Sequence, residues 1–123
     1  MVQMIHALVF ATSSDLYDLQ NAISGCQPEL HLGIIDETDA DLLRRKLRPD
    51  QHFDIVITTE GLSAHLHGLL EEFGASYDHF FNIREDVEHR REGNVTFCSS
   101  SRLRDEVLSL TRGAKSTTMA RSS

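Results

Sequence analysis

The chain is poor in crosslinks, in breakers and in positive charge. Its 123 residues hold two prolines, two cysteines and no tryptophan. Cys26 and Cys98 alone cannot make the disulfide framework that staples small secreted domains. The longest apolar run, Ala7 to Ala11, falls far short of the roughly 20 residues that span a bilayer, so no membrane partner is expected. Met1-Val2-Gln3-Met4 lacks the basic start of a secretory signal, and the expectation is a cytoplasmic chain with reduced thiols. No strand leads into a glycine-rich phosphate loop. Gly61 stands alone, and Gly113-Ala114-Lys115-Ser116-Thr117 has neither the preceding glycine nor a strand before it, so dinucleotide and Walker fingerprints are absent. Basic residues number 12 against 19 acidic, a net charge of −7. The acidic excess lies in residues 1 to 112, because Gly113 to Ser123 carry Lys115 and Arg121 and no acid. Such a body repels phosphate backbones, which argues against nucleic-acid partners.

What is present is a soluble globular composition, 40% apolar and 25% charged, of a length that makes one domain. The pattern predicts a domain over residues 1–112 and a small, polar tail or linker start over 113–123. Met4 to Ala11 is an almost continuous apolar strand, the kind covered on both faces. Thr12-Ser13-Ser14 offers a cap, Leu16, Leu19 and Ile23 recur at helical spacing, and Gly25 stops the helix. Glu29 to Ile35 reads as a second strand. Thr38-Asp39-Ala40-Asp41 caps a second helix carrying Leu43 and Leu47 and ended by Pro49. Its basic last turn, Arg44-Arg45-Lys46, suits a helix end. Phe53 to Thr58 is a third strand, followed by a helix with Leu62, Leu66, Leu69, Leu70 and Phe73 on one face and Gly74 at its end. Phe80 to Ile83 reads as a short fourth strand and Arg84 to Glu92 as an exposed helix or loop. Val95 to Cys98 is the fifth strand, and Leu103, Val107 and Leu110 stripe the last helix.

Repeated strand-helix units imply a parallel sheet with helices on both faces, since crossovers are right-handed. The expected fold is a three-layer α/β/α sandwich with five parallel strands in the order 2-1-3-4-5. Its expected core is Ile5, Leu8, Phe10, Leu19, Ile34, Ile55, Ile57, Leu66, Leu70, Phe97, Leu103 and Val107.

Few residues carry chemistry. His65 and His67 point roughly 200° apart on a helix and cannot chelate one ion. His6 and His31 fall in strands, where packing explains them. Cys98 ends a strand, but no basic partner accompanies it in sequence, and a buried small thiol accounts for it. Ser13 and Ser14 have no readable base, and capping suffices for them. No cofactor and no metal are expected. Open α/β sheets bind ligands beyond the carboxyl ends of their strands. Thr12, Ser13, Asp36, Thr59, Glu60, Arg84 and Ser99 fall in those loops, and their hydroxyls suit a small polar ligand.

Ile55-Val56-Ile57-Thr58-Thr59, then Gly68-Leu69-Leu70, and later Gly93-Asn94-Val95-Thr96-Phe97-Cys98 resemble the third strand, following helix and fifth strand of the receiver domain of response regulators. That resemblance implies a site of clustered carboxylates holding Mg²⁺, with one aspartate accepting a phosphoryl group. Here the acidic pair falls on Ala11 and Thr12, and the acceptor aspartate on Thr59 beside Glu60. The switch hydroxyl falls near Ile83 or Arg84, and the lysine-proline pair near Cys98 and Ser99. Without the carboxylates there is no oxygen cage for the ion, and without the aspartate no acyl phosphate. The resemblance therefore implies a degenerate receiver, a non-catalytic module acting on a protein partner or a fused effector domain. Its fourth-helix, fifth-strand and last-helix face would carry Arg90, Arg91, Arg102, Arg104 and Asp105. Interleaved charges of this kind can be self-complementary in a homodimer. The alternative is a small enzyme or ligand-binding protein using the strand-end crevice. Glu60-Gly61 with Asp86-Val87-Glu88 is similar, loosely, to the Mg²⁺-binding acids of the toprim fold.

Overall fold

The computed structural model describes residues 4–25, 31–85 and 90–109. Strands and helices alternate as β1 (Met4–Phe10), α1 (Ser13–Ser24), β2 (His31–Glu37), α2 (Ala40–Lys46), β3 (His52–Thr59), a 3-10 turn (Glu60–Leu62), α3 (Ser63–Glu72), β4 (Ser76–Ile83), β5 (Arg90–Glu92) and β6 (Val95–Cys98). Residues 100–109 form a last helix, α4. One sheet holds all six strands in the order β2-β1-β3-β4-β6-β5. The pairings from β2 through β6 are parallel, so the expected 2-1-3-4-5 parallel order is present, with Val95–Cys98 as its fifth member.

The central strands are apolar on both sides, which forces a layer onto each face. In β1, Ala7 and Val9 face one way and Leu8 and Phe10 the other. The first face, with Ile57 and Phe81, is covered by Leu19 and Ile23 of α1 and Leu103, Val107 and Leu108 of α4. The second, with Val56 and Phe80, is covered by Leu43 of α2 and Leu66, Leu69 and Leu70 of α3. Each such side chain, fully buried, contributes roughly 1.5–3 kcal/mol. Of the expected core, Ile5 and Ile34 pack only at its margin. Phe97 is half-buried, with the Arg90 guanidinium 4.7 Å over its ring.

Three boundaries differ from the sequence reading. The second strand runs over His31–Glu37, and the fourth begins at Ser76, four residues before the apolar run that marked it. The stretch taken as an exposed helix or loop contains β5, which pairs antiparallel with β6 from Arg90–Phe97 to Glu92–Val95. Gly93, at φ +60, turns that hairpin. Leu110 and the 113–123 tail lie outside the described residues. Among the described residues, no helix is long and apolar enough to cross a membrane.

Polar contacts align the amino ends of β3 and β4. Asp50 and Gly74 both take positive φ, 59° and 64°. A Cβ on Gly74 would stand 2.9 Å from Asp50 Oδ1, so a side chain there would strain the backbone and displace the Asp50 carboxylate. The Asp50 N–H donates to the Phe73 carbonyl at 2.8 Å and the Ser76 N–H to the Gln51 carbonyl at 2.9 Å.

β5 has no apolar side chain and is held by its neighbours. Arg91 reaches Glu106 on α4 at 3.2 Å and donates through Nε to Thr96 Oγ1 at 3.3 Å. The Glu106 side chain is 11% exposed and Arg91's 46%, which places this pair between the exposed and buried limits of ion-pair energetics. Arg91→Ala is expected to lower stability by roughly 1–2 kcal/mol and Arg90→Ala by roughly 0.5 kcal/mol. Urea denaturation of the two variants checks this, and equal losses would contradict the tie between β5 and α4.

Candidate functional site

A parallel sheet whose second strand lies outside the first and whose third lies on its other side splits its connections between β1 and β3. The loops there part to opposite faces and leave a crevice at the carboxyl ends. The chain has such a crevice, a cleft of about 570 Å³. Thr12 after β1, Thr59 at the end of β3, and Ile83 and Arg84 at the end of β4 form its floor, while Asp15 and Asp18 of α1 and Glu85 with Ser100 form its rim.

Thr12 precedes α1 in extended backbone and, as expected, is its N-cap residue. Its hydroxyl, however, donates to Asp15 Oδ2 at 3.0 Å and makes no cap bond to the helix backbone. Glu85 Oε1 accepts the Ser100 backbone N–H at 3.0 Å, a carboxylate at the start of α4 where the helix dipole favours it. The Arg84 N–H donates to the Cys98 carbonyl at 2.9 Å, fastening the loop after β4 to β6. Beneath the floor, the fully buried Thr58 hydroxyl donates to the Phe10 carbonyl at 2.7 Å and locks the ends of β1 and β3 together. Among the described residues, three carboxylates and one guanidinium line the cleft. It therefore presents hydroxyls and excess negative charge, a surface for a polar ligand carrying positive charge.

Of the crevice residues named from sequence, Thr12, Thr59 and Arg84 line the cleft. Ser13, Asp36 and Ser99 do not. Ser13 opens α1 and is exposed. The Asp36 carboxylate accepts from the Gln20 side-chain amide, and its carbonyl accepts from Lys46 Nζ at 3.1 Å. Asp36 is the next-to-last residue of β2, which β1 separates from β3. Ser99 bonds Ser101 through its hydroxyl at 2.9 Å and accepts the Arg102 N–H at 3.1 Å, as a helix entry does. Ala11 is fully buried in the core. Asp86 and Glu88, and the side chain of Glu60, lie outside the described residues.

Asp15, Asp18 and Glu85 were not singled out from sequence. The signal was the helical spacing of Thr12, Asp15 and Asp18, which keeps a helix's first two turns on one side. His65 and His67 diverge as expected. The first meets the Phe10 ring edge-on at 6.2 Å, and the second stacks on Phe80 at 4.5 Å. The charged residues named for an interface are partly used within the chain. Arg90 pairs with Glu92 at 3.8 Å, Arg91 with Glu106, and Arg104 donates to the Gly25 carbonyl at 3.1 Å. Arg102 and Asp105 are exposed.

No protein-family model, curated protein or solved structure matches this chain.

Cys98 is fully buried. Its thiol is pushed from an ordinary 9.0 up to about 11, by burial first and then by Glu106 and Glu85, against the opposing pull of Arg102. A thiol this basic is a core group and no nucleophile at neutral pH. The unfolded chain releases this proton from about pH 9 and the folded chain only from about 11. The protonated thiol thus favours the fold below pH 9, and that contribution is lost as pH rises toward 11. Urea midpoints between pH 8 and 11 should fall more steeply in the wild type than in Cys98→Ala. Equal slopes would contradict the burial of the thiol.

Proposed function

We propose that the chain is a non-catalytic regulatory module of the degenerate-receiver kind, acting by binding a protein partner or a fused effector domain. The observation that carries this reading is Thr59 at the carboxyl end of the central strand β3, where a receiver would hold its acceptor aspartate. A threonine hydroxyl cannot form the mixed anhydride that a carboxylate forms with a phosphoryl group. Two neighbouring positions support it: Ala11 is sealed in the core, and the Thr12 hydroxyl is committed to Asp15. The fold departs from the receiver plan where β5 occupies chain that the resemblance assigns to the fourth helix. The binding face of such a module would then be built from β5, β6 and α4.

That edge carries Arg90, Arg91, Glu92, Arg102 and Asp105 at its surface, both signs within a few residues. An exposed three-residue edge of charged side chains discourages open-ended strand pairing. It still permits a two-fold, charge-paired contact between two copies. A second reading, binding of a small polar ligand, rests on the cleft at the parting of β1 and β3 and its lining of carboxylates and hydroxyls.

Incubation with a small phosphodonor and Mg²⁺ should leave the mass of the chain unchanged. A stoichiometric acid-labile adduct on an aspartate, or an acid-stable one on Thr59, would overturn the non-catalytic reading. The dimer is checked by sedimentation. A homodimer through the charged edge should weaken as salt is raised, because exposed pairs are screened over about 8 Å at physiological ionic strength. A monomer at every concentration removes the dimer.

A further inference from the structure

We propose that His52, Asp54 and Asp78 form a binding site for a divalent transition-metal ion, Zn²⁺ foremost, at the amino ends of β3 and β4. This edge of the sheet is opposite the cleft, and the site is independent of the regulatory reading. His52 and Asp54 stand two residues apart on β3, and Asp78 stands on β4 where His52 pairs with Ser76 and Phe53 with Tyr77. The parallel register thus brings Asp54 and Asp78 side by side, and one donor atom from each of the three residues lies within 4.8 Å of the others. Among the described residues, this is the one place where three such groups converge.

The donor set and its spacing suit zinc. One imidazole nitrogen with two carboxylate oxygens is a mixed set that Zn²⁺ accepts, whereas Mg²⁺ and Ca²⁺ take oxygen ligands. Bonds of about 2.0–2.2 Å around a tetrahedral ion hold its donors roughly 3.3 Å apart. His52 Nε2 already lies 3.2 Å from Asp78 Oδ2. Three protein donors leave a fourth position for water.

Two of the ligands are also held from behind. His52 Nδ1 lies 2.8 Å from Ser76 Oγ, the kind of outer contact that orients a metal-binding imidazole. With Nδ1–H donating to that hydroxyl, the Nε2 lone pair faces the carboxylates. Asp54 Oδ2 accepts the His6 backbone N–H at 2.8 Å, just before the β1–β3 register begins at Ala7–Ile55. A side chain there does the work of a ladder carbonyl and fixes the carboxylate half-buried. Among the described residues, neither Asp54 nor Asp78 has a lysine or arginine ion-pair partner, and the imidazole of His52 pairs with Asp78. Two carboxylates against one imidazole leave negative charge that a divalent ion would neutralise.

The test is a titration of the full 123-residue chain with Zn²⁺ alone by calorimetry, and with Co²⁺ followed by its visible absorption. One ion per chain is expected, with affinity at least tenfold weaker in His52→Ala and in Asp78→Asn. Ser76→Ala should weaken binding roughly tenfold through the outer contact. The double variant His65→Ala with His67→Ala should bind as the wild type does. Far-UV circular dichroism of each metal-free variant separates lost binding from lost fold, and Asp54→Asn stands in for any variant that unfolds. Absence of a one-to-one complex would overturn the site. So would affinity unchanged in both His52→Ala and Asp78→Asn, and the cluster would then be only a contact between strand ends.

Discussion

Everything in this molecule depends on β1, β3 and β4 being apolar on both sides. Leu8, Val9, Val56, Ile57 and Phe81 are all completely buried, and they point alternately to the two faces. A strand of this kind is stable only between two layers. The chain meets that need by sending α1 and α4 to one face and α2 and α3 to the other. A right-handed connection to each face reverses the direction of winding after β2, and the reversal places β1 between β2 and β3. The cleft follows from that reversal, and the parallel pairing of β3 with β4 aligns the strand starts at the far edge.

The same requirement explains which parts of the fold were legible in the sequence. Strands buried on both faces read as unbroken apolar runs, and β1 and β3 were placed within a residue or two. β4 was found only in its apolar half. Its first four residues, Ser76-Tyr77-Asp78-His79, lie at the margin of the layers, where exposed and half-buried positions alternate. β5 has no apolar residue, and Arg90-Arg91-Glu92 carries no strand propensity of its own. It exists through its hairpin pairing with β6, the Arg90–Phe97 contact and the Arg91–Glu106 pair, none of which an apolar pattern announces.

The site was legible to a similar degree. Thr12, Thr59 and Arg84 follow strands directly, so strand ends sufficed to place them. Ser99 also follows a strand and Asp36 lies near the end of one, yet topology puts Asp36 beyond β1 and local bonding turns Ser99 toward its own helix. The acids of the rim come from helix α1 and from the residue after Arg84, and only the folded arrangement gathers them. His52, Asp54 and Asp78 needed the β3–β4 register as well, because a His-x-Asp pair and a lone aspartate 24 residues later mean nothing until two strands lie side by side. The Cys98 thiol shows the converse: its apolar surroundings in the strand were a sufficient guide to its inertness.

The direct test of this account is the pairing of the central strands. Backbone nuclear Overhauser contacts in the isotope-labelled chain should link Ala7 with Ile55 and Ile34 in parallel register, Phe80 with Val95 in parallel, and Arg91 with Thr96 in antiparallel register. Contacts joining β1 to β2 alone, with β3 paired elsewhere, would contradict it, since neither the crevice nor the alignment of His52 with Asp78 would then exist in this form.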